Sequence, residues 1–173
     1  MPKRPPVHEL EFMKLSRNHG ELSAKLTTIG IPSPDLLEYA KHICECWFKL
    51  AEIHLNDAKA ALAANCQRAV ISRSYYAAYN ASKAARYLVR GTVSLTGNDH
   101  ASASTDLPDD LPNVAQWAQD ITLLYEHRLR ADYDNWSDTA ASSTLTPGDA
   151  IAKATAFIDE VRGYVNAKFG NLL

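Results

Sequence analysis

The sequence predicts an all-α protein, a four- to five-helix up-and-down bundle with an extra N-terminal helical segment. Three observations carry this. From Asp35 to Arg90 there is neither glycine nor proline, a run of 56 residues in which only helix is comfortable. Glycine and proline together number 15 of 173 residues, too few for a turn-rich β fold. Apolar residues recur at steps of three and four through each long segment, the helical period.

Leu10, Phe12, Met13, Leu15, Leu22, Leu26 and Ile29 predict an amphipathic helix, broken near Gly20. Pro32-Ser33-Pro34 marks a joint, with Ser33 or Asp35 capping the next helix. The chain therefore divides into an appendage over 1–34 and a bundle over 35–170. In the first long helix, Leu36–Ala63, the residues Leu36, Leu37, Ala40, Ile43, Trp47, Leu50, Ala51, Leu55, Ala58 and Leu62 keep the period. Polar Asn65-Cys66-Gln67 forms a turn, and Arg68–Arg90 returns antiparallel to end at Gly91, a good residue just past a helix. Residues 91–112, rich in Gly, Ser, Thr and Pro, are expected to be loop. Val114, Trp117, Ile121, Leu124 and Tyr125 stripe a helix over about Asn113–Asp132, and 134–145 is again loop. Thr146-Pro147-Gly148-Asp149 is a helix start: Thr caps, Pro opens the first turn, and Asp meets the positive helix end. The last helix runs Pro147 to about Phe169, with Ile151, Ala154, Phe157, Ile158, Val161 and Val165 inward.

Composition narrows the function classes. Eighteen basic against 20 acidic residues give a net charge of −2, which excludes a polycation. Hydrophobic residues at 46% and charged residues at 22% exclude wholesale disorder. No 18-residue apolar run exists, and Met1-Pro-Lys-Arg-Pro-Pro is followed by no apolar run, so neither membrane nor secretory signal is expected. Three cysteines, Cys44, Cys46 and Cys66, make no disulfide framework and suit a reducing cytoplasm. Cys44 and Cys46 point about 200° apart on a helix, so no metal site is expected there. No cofactor is expected either. A di-iron bundle would need Glu-x-x-His, and phosphate loops and nucleophile elbows need Gly-x-x-x-x-Gly-Lys or Gly-x-Ser-x-Gly; none occurs.

The Arg68–Arg90 helix is basic in a nearly neutral chain. Between Asp57 and Asp99 there is no acid, while Lys59, Arg68, Arg73, Lys83, Arg86 and Arg90 fall in the gap. With Arg68 at zero, Lys83 lies at about 60°, Arg86 at about 0° and Arg90 at about 40°, with Tyr75 and Tyr79 in the same sector. Val70, Ile71, Ala77, Ala81, Ala84, Ala85, Leu88 and Val89 take the opposite half. A cationic, aromatic face fits phosphate attraction and base stacking; the bland alternative is a solvated basic face beside acidic helices.

Arg128 is four residues past Leu124 and seven past Ile121, so it continues a stripe that should face inward. A cation there needs a partner or a function, and Asp132 at i+4 is the natural partner. Ser72-Arg-Ser-Tyr-Tyr-Ala-Ala-Tyr-Asn-Ala, then Gly91, then Leu124-Tyr125-x-x-Arg128-x-x-Ala131-Asp132-Tyr133 resembles the HEPN superfamily (higher eukaryote and prokaryote nucleotide-binding), over about residues 36–169. Ala58-x-x-Ala61-Leu62 and Ala154-x-x-Phe157-Ile158 are similar to the same branch.

The resemblance implies a HEPN-like bundle, usually dimeric, in which Arg-x(4–6)-His from each protomer meets at the dimer interface and cleaves RNA without a metal. It also implies a toxin–antitoxin or defence setting, often with a minimal nucleotidyltransferase as partner. Arg128 takes the Arg position, and five residues on stands Tyr133 where His is usual. A phenol near 10 is a poor base at neutral pH beside an imidazole near 6.5. Tyr133 is then a residue that orients a phosphate, donates a hydrogen bond or accepts a nucleotidyl group. His127 precedes the arginine, and His100 lies in the expected loop. The candidate catalytic residues are Arg128 and Tyr133. The candidate ligand-binding residues are Asp132, Arg73, Tyr76 and Arg86, although paired Tyr75 and Tyr76 also suit a core role. The expected function is binding of RNA or nucleotide phosphate at a homodimer cleft around Arg128, with metal-independent ribonuclease activity. The alternatives are a non-catalytic module that partners a nucleotidyltransferase and a plain helical dimerisation protein.

Overall fold

The computed structural model describes residues 18–30, 34–94, 99–134 and 144–173. Six helices occur among them: α1 (His19–Thr28), α2 (Pro34–Ala63), α3 (Gln67–Arg90), α4 (Asp99–Thr105), α5 (Val114–Tyr133) and α6 (Pro147–Phe169). There is no strand among the described residues, only one isolated bridge between Asn18 and Thr92. The fold class is as the sequence predicts, and α2, α3, α5 and α6 match their expected spans within three residues.

The α2–α3 hairpin turns at Asn65, whose φ of 56° is tolerated by an asparagine. α3 is the central helix. It packs most extensively on α2, then on α6 and α5, with α4 against its C-terminal half. Its alanines explain the closeness: Ala77, Ala78, Ala81, Ala84 and Ala85 are fully buried, and small side chains let neighbouring backbones approach. Ile43, Phe48 and Leu55 of α2, Ile121 and Leu124 of α5, and Phe157, Ile158, Val161 and Val165 of α6 close the core around them. Leu37, Leu50 and Leu62 keep the helical period yet are exposed, because α2 has an uncovered outer side. Arg162 to Glu52, at 2.7 Å, ties α6 to α2, and Lys153 to Asp120, at 2.5 Å, ties α6 to α5.

Thr146 caps α6 as expected. Its Oγ1 accepts from the Asp149 amide at 3.1 Å and donates to Asp149 Oδ2 at 2.6 Å. Burial raises the thiol of Cys44 to about 12, so it is an inert core group, and none of the three cysteines is disulfide-bonded.

One expectation is corrected. Part of the 91–112 stretch, Asp99–Thr105, is helix, because its first residue finds buried cations on α3 to pair with. The break expected near Gly20 falls just before it: Asn18 is outside helical geometry and accepts from the Glu21 amide as the cap of α1, and Gly20 lies inside the first turn. Leu10 to Leu15 and Ser33 lie outside the described residues.

Gly20 is there for closeness. Gly91 ends α3 with φ at 73°, and a Cβ on it would stand 2.4 Å from the Gly20 nitrogen. His19 is buried beside this contact and its Nε2 donates to the Tyr87 carbonyl at 2.7 Å. Gly91→Ala is expected to lower stability by roughly 1–2 kcal/mol from the left-handed backbone alone, and to detach α1 through the clash. Thermal melts and limited proteolysis check this; an unchanged midpoint with a protected N-terminal segment overturns it.

Candidate functional site

The site forms where α3, α4 and α5 meet, with α2 at its edge. On α3, Tyr75 and Tyr79 are one turn apart and Tyr76 is beside them, so three phenols fan across the surface facing α4 and α5. On α5, Tyr125 and Arg128 are three apart and Asp132 four further, which aligns them on one face. Tyr75 is fully buried and packs 5.3 Å from Tyr125, 5.5 Å from Tyr76 and 6.0 Å from Tyr79, ring centre to ring centre.

Arg128 is buried to 8% exposure, so the inward stripe is real. Its Nη2 donates to the Tyr76 hydroxyl at 2.5 Å. Its Nε lies 2.7 Å from Asp132 Oδ2, but the N–H does not point along that approach, so the contact is an ion pair without a directed hydrogen bond. The guanidinium also sits over two rings, 5.2 Å from Tyr76 and 5.3 Å from Tyr133. Burial works against its charge, and Tyr76, Asp132 and Tyr133 outweigh it, holding the group above its usual value. The guanidinium is thus divided between a phenol and a carboxylate, and Nη1 has no partner among the described residues.

Two imidazoles flank Tyr76. His54 of α2 has its ring centre 5.6 Å away, and His100 of α4 has its centre 6.2 Å away. Arg73 Nη1 lies 3.3 Å from His54 Nδ1, and burial followed by Arg73 lowers the proton affinity of that imidazole against a weaker opposing pull from Asp57. His100 Nδ1 is 2.7 Å from the Tyr75 hydroxyl, and the imidazole packs 4.7 Å from Tyr79 and 5.9 Å from Tyr125. Burial, then the Arg128 guanidinium, lowers its proton affinity too.

Asp99 fixes where His100 goes. It is 2% exposed and receives Arg86 Nη1 at 3.2 Å and Nη2 at 2.7 Å, the Tyr79 hydroxyl at 3.2 Å and the Ser94 amide at 3.4 Å. Lys83 Nζ stands 3.9 Å off, and Ser82 donates to the Ala103 carbonyl at 2.7 Å. The short helix α4 is therefore riveted to α3 through a bidentate, buried ion pair.

The six expected site residues fall in two groups. Arg128, Tyr76, Asp132 and Tyr133 are brought together, with Tyr133 at 71% exposure on the rim and Arg73 at the edge beside His54. Arg86 is elsewhere in role: at 2% exposure it is closed over by α4 and neutralised by Asp99. The solvent-facing cationic stripe expected for α3 is thereby corrected. α4 closes over the middle of that face, and two of the cations left exposed are engaged: Arg90 goes to Asp109 at 2.8 Å and Arg68 to the carbonyls of Ala131 and Asp134. Sequence reasoning missed Asp99, Tyr125 and His54, and left His100 in a loop. One signal was present: Asp99 is the first acid after six cations, the obvious counter-ion for a buried one. His127 faces away, with Nε2 3.2 Å from Thr144 Oγ1.

A separate hollow of about 810 Å³ between α4 and α5 is lined by Ser104, Gln116, Asp120 and Glu126 among others. Its charged lining residues are acidic, which is the wrong sign for a phosphate. No helix among the described residues is long and apolar enough to cross a membrane.

The HEPN domain family model matches residues 44–164, a span that contains α3, α4 and α5 whole and α2 from Cys44 on. No curated protein and no solved structure matches the chain.

Proposed function

Because the chain belongs to the HEPN domain family, and that family points to nucleotide- or RNA-related function, we propose that it binds RNA or nucleotide phosphate around Arg128, at a cleft shared by two copies. The observation that carries this is the placement of Arg128. It is a buried guanidinium whose hydrogen-bonding fork is only partly engaged, and it sits over the ring of exposed Tyr133. Such a group stabilises negative charge far better than a solvated arginine, because its surroundings are dry and already arranged.

The chemistry proposed is metal-independent cleavage of RNA. The 2′-hydroxyl passes its proton to a water molecule and attacks the adjacent phosphorus to close a 2′,3′-cyclic phosphate, the bond to the 5′-oxygen breaks, and that oxygen takes the proton back from solvent. Arg128 neutralises the charge that builds on the phosphate oxygens. Tyr133 stands where the family's imidazole usually does and hydrogen-bonds the phosphate or the attacking hydroxyl. Exposed Tyr133, and Ile53 at 55% exposure next to His54, give a second copy an apolar rim to cover. A toxin–antitoxin or defence setting, with a nucleotidyltransferase as partner protein, is the context that fits.

The second reading, a non-catalytic binding module for such a partner, is favoured by one observation: the fifth residue past Arg128 is a phenol and not an imidazole. The test is cleavage of a mixed RNA pool in chelator. Cleavage lost in Tyr133→Phe supports the catalytic reading. Binding that weakens with salt, and no cleavage, supports the module. No binding at low salt overturns both.

A further inference from the structure

We infer that His100 is a second anion-binding residue of the Arg128 site, acting as a neutral donor through Nε2–H in a tautomer dictated by Tyr75. This inference deepens the phosphate reading and rests on it. The ligand class is a phosphodiester oxygen.

The tautomer follows from hydrogen-bond accounting. Tyr75 is fully buried, and its hydroxyl has one partner among the described residues, His100 Nδ1 at 2.7 Å. A buried hydroxyl hydrogen left without an acceptor is costly, so Tyr75 donates and Nδ1 accepts. The single proton of the neutral ring then resides on Nε2. That nitrogen makes no hydrogen bond among the described residues, and His100 is only half-buried, so the N–H is offered outward. The phenol cannot exchange this role by ionising, because burial, then Tyr79 and Tyr125, push it well above its ordinary range.

Every charged or titratable neighbour of His100 bears on its protonation. From α3 come Tyr75, Tyr76, Tyr79 and Lys83, from α5 Tyr125 and Arg128, and from its own helix Asp99. Arg128 and Lys83 disfavour a second cation, and Asp99 favours it but is already occupied by Arg86. Protonating Nδ1 would also oblige Tyr75 to turn its hydrogen away into a dry core. The ring therefore stays neutral through physiological pH and donates without carrying charge, complementing the charged donor Arg128.

The ring's placement is built, not incidental. Asp99, its chain neighbour, is locked by Arg86, and Tyr79 and Tyr125 hold the imidazole by its faces. A donor with its position and tautomer both set beforehand binds with little loss of freedom.

The experiment has two arms on the full chain. In the first, protein labelled with 15N-histidine is read by long-range 1H–15N correlation. His100 is expected to show an unprotonated Nδ1 and a protonated Nε2, and Tyr75→Phe is expected to bring back a mixture of tautomers. A protonated Nδ1 with a bare Nε2 in the wild type overturns the inference. In the second arm, binding of a 2′-O-methylated oligoribonucleotide, uncleavable and constant in charge, is titrated between about pH 6 and 8. Wild-type affinity is expected to stay flat across that range, since the donor is uncharged. His100→Ala is expected to weaken it about tenfold, and His100→Gln, which keeps an N–H near Nε2, to recover most of the loss. An affinity that collapses as pH rises through the ordinary histidine range overturns the neutral donor. If Arg128→Ala weakens binding and His100→Ala does not, this inference alone fails. If neither matters, the phosphate reading of the site fails with it.

Discussion

Asp99→Ala will cost the fold about 3–5 kcal/mol, because it strands a buried guanidinium. Arg86 and Asp99 have side chains only 3% exposed, and their two hydrogen bonds are parallel, fork to fork. With the carboxylate gone, Arg86 keeps, among the described residues, a single bond from Nε to Ser82 Oγ at 3.1 Å and no access to water that would replace the rest. Tyr79 and the Ser94 amide lose their acceptor as well. A fall in melting temperature on the order of 10 °C is expected for a chain of this size. Asp99→Asn should lose less, since the amide oxygen still accepts. The double variant Arg86→Met with Asp99→Leu should recover much of the loss, since removing both charges removes the desolvation they impose. A loss under about 1 kcal/mol in Asp99→Ala would mean that α4 is held by its apolar contacts and the Ser82–Ala103 bond instead.

The same pair explains how far the sequence could be read. Everything that depends on local chemistry was legible: the breaker-free hairpin, the Asn65 turn, the Gly91 stop and the Thr146 cap each act within a few residues of themselves. The Arg128–Asp132 pair was legible for the same reason, being one helical turn apart. What failed was the helical wheel of α3. A wheel assigns sides to one helix and assumes that one side meets water. Here α2, α5 and α6 surround α3, and α4 closes over part of the remainder, so Arg86 on the supposed cationic face became a core residue. His100 could not be placed because its position is inherited from Asp99, and the partner of Asp99 is 13 residues back in the chain. His54 could not be placed because it reaches Tyr76 only through the packing of α2 on α3.

On the catalytic reading proposed above, Arg128→Ala should lower RNA cleavage by on the order of 10²–10³ while leaving the fold nearly intact. The two halves of that expectation have separate causes. Among the described residues its polar contacts are one phenol and one carboxylate four residues on, and Asp132, at 26% side-chain exposure, can be hydrated when the arginine leaves. Its effect on developing phosphate charge has no such substitute, because water is a poorer and less oriented donor in that position. Arg128→Lys keeps the charge and loses the fork, so it should restore binding more than rate. Asp132→Asn should change rate little if Asp132 only steadies the guanidinium, and raise it if the carboxylate competes with the substrate's phosphate for the same fork. Arg128 also acts through space on His100. Since the guanidinium is the second-largest cause of that ring's lowered proton affinity, its removal should let the His100 titration move upward toward the ordinary value. The movement should be incomplete, because burial is the larger cause and remains. A His100 titration followed by NMR that stays put in Arg128→Ala would separate the two groups, and with them the claim that one anion lies between both.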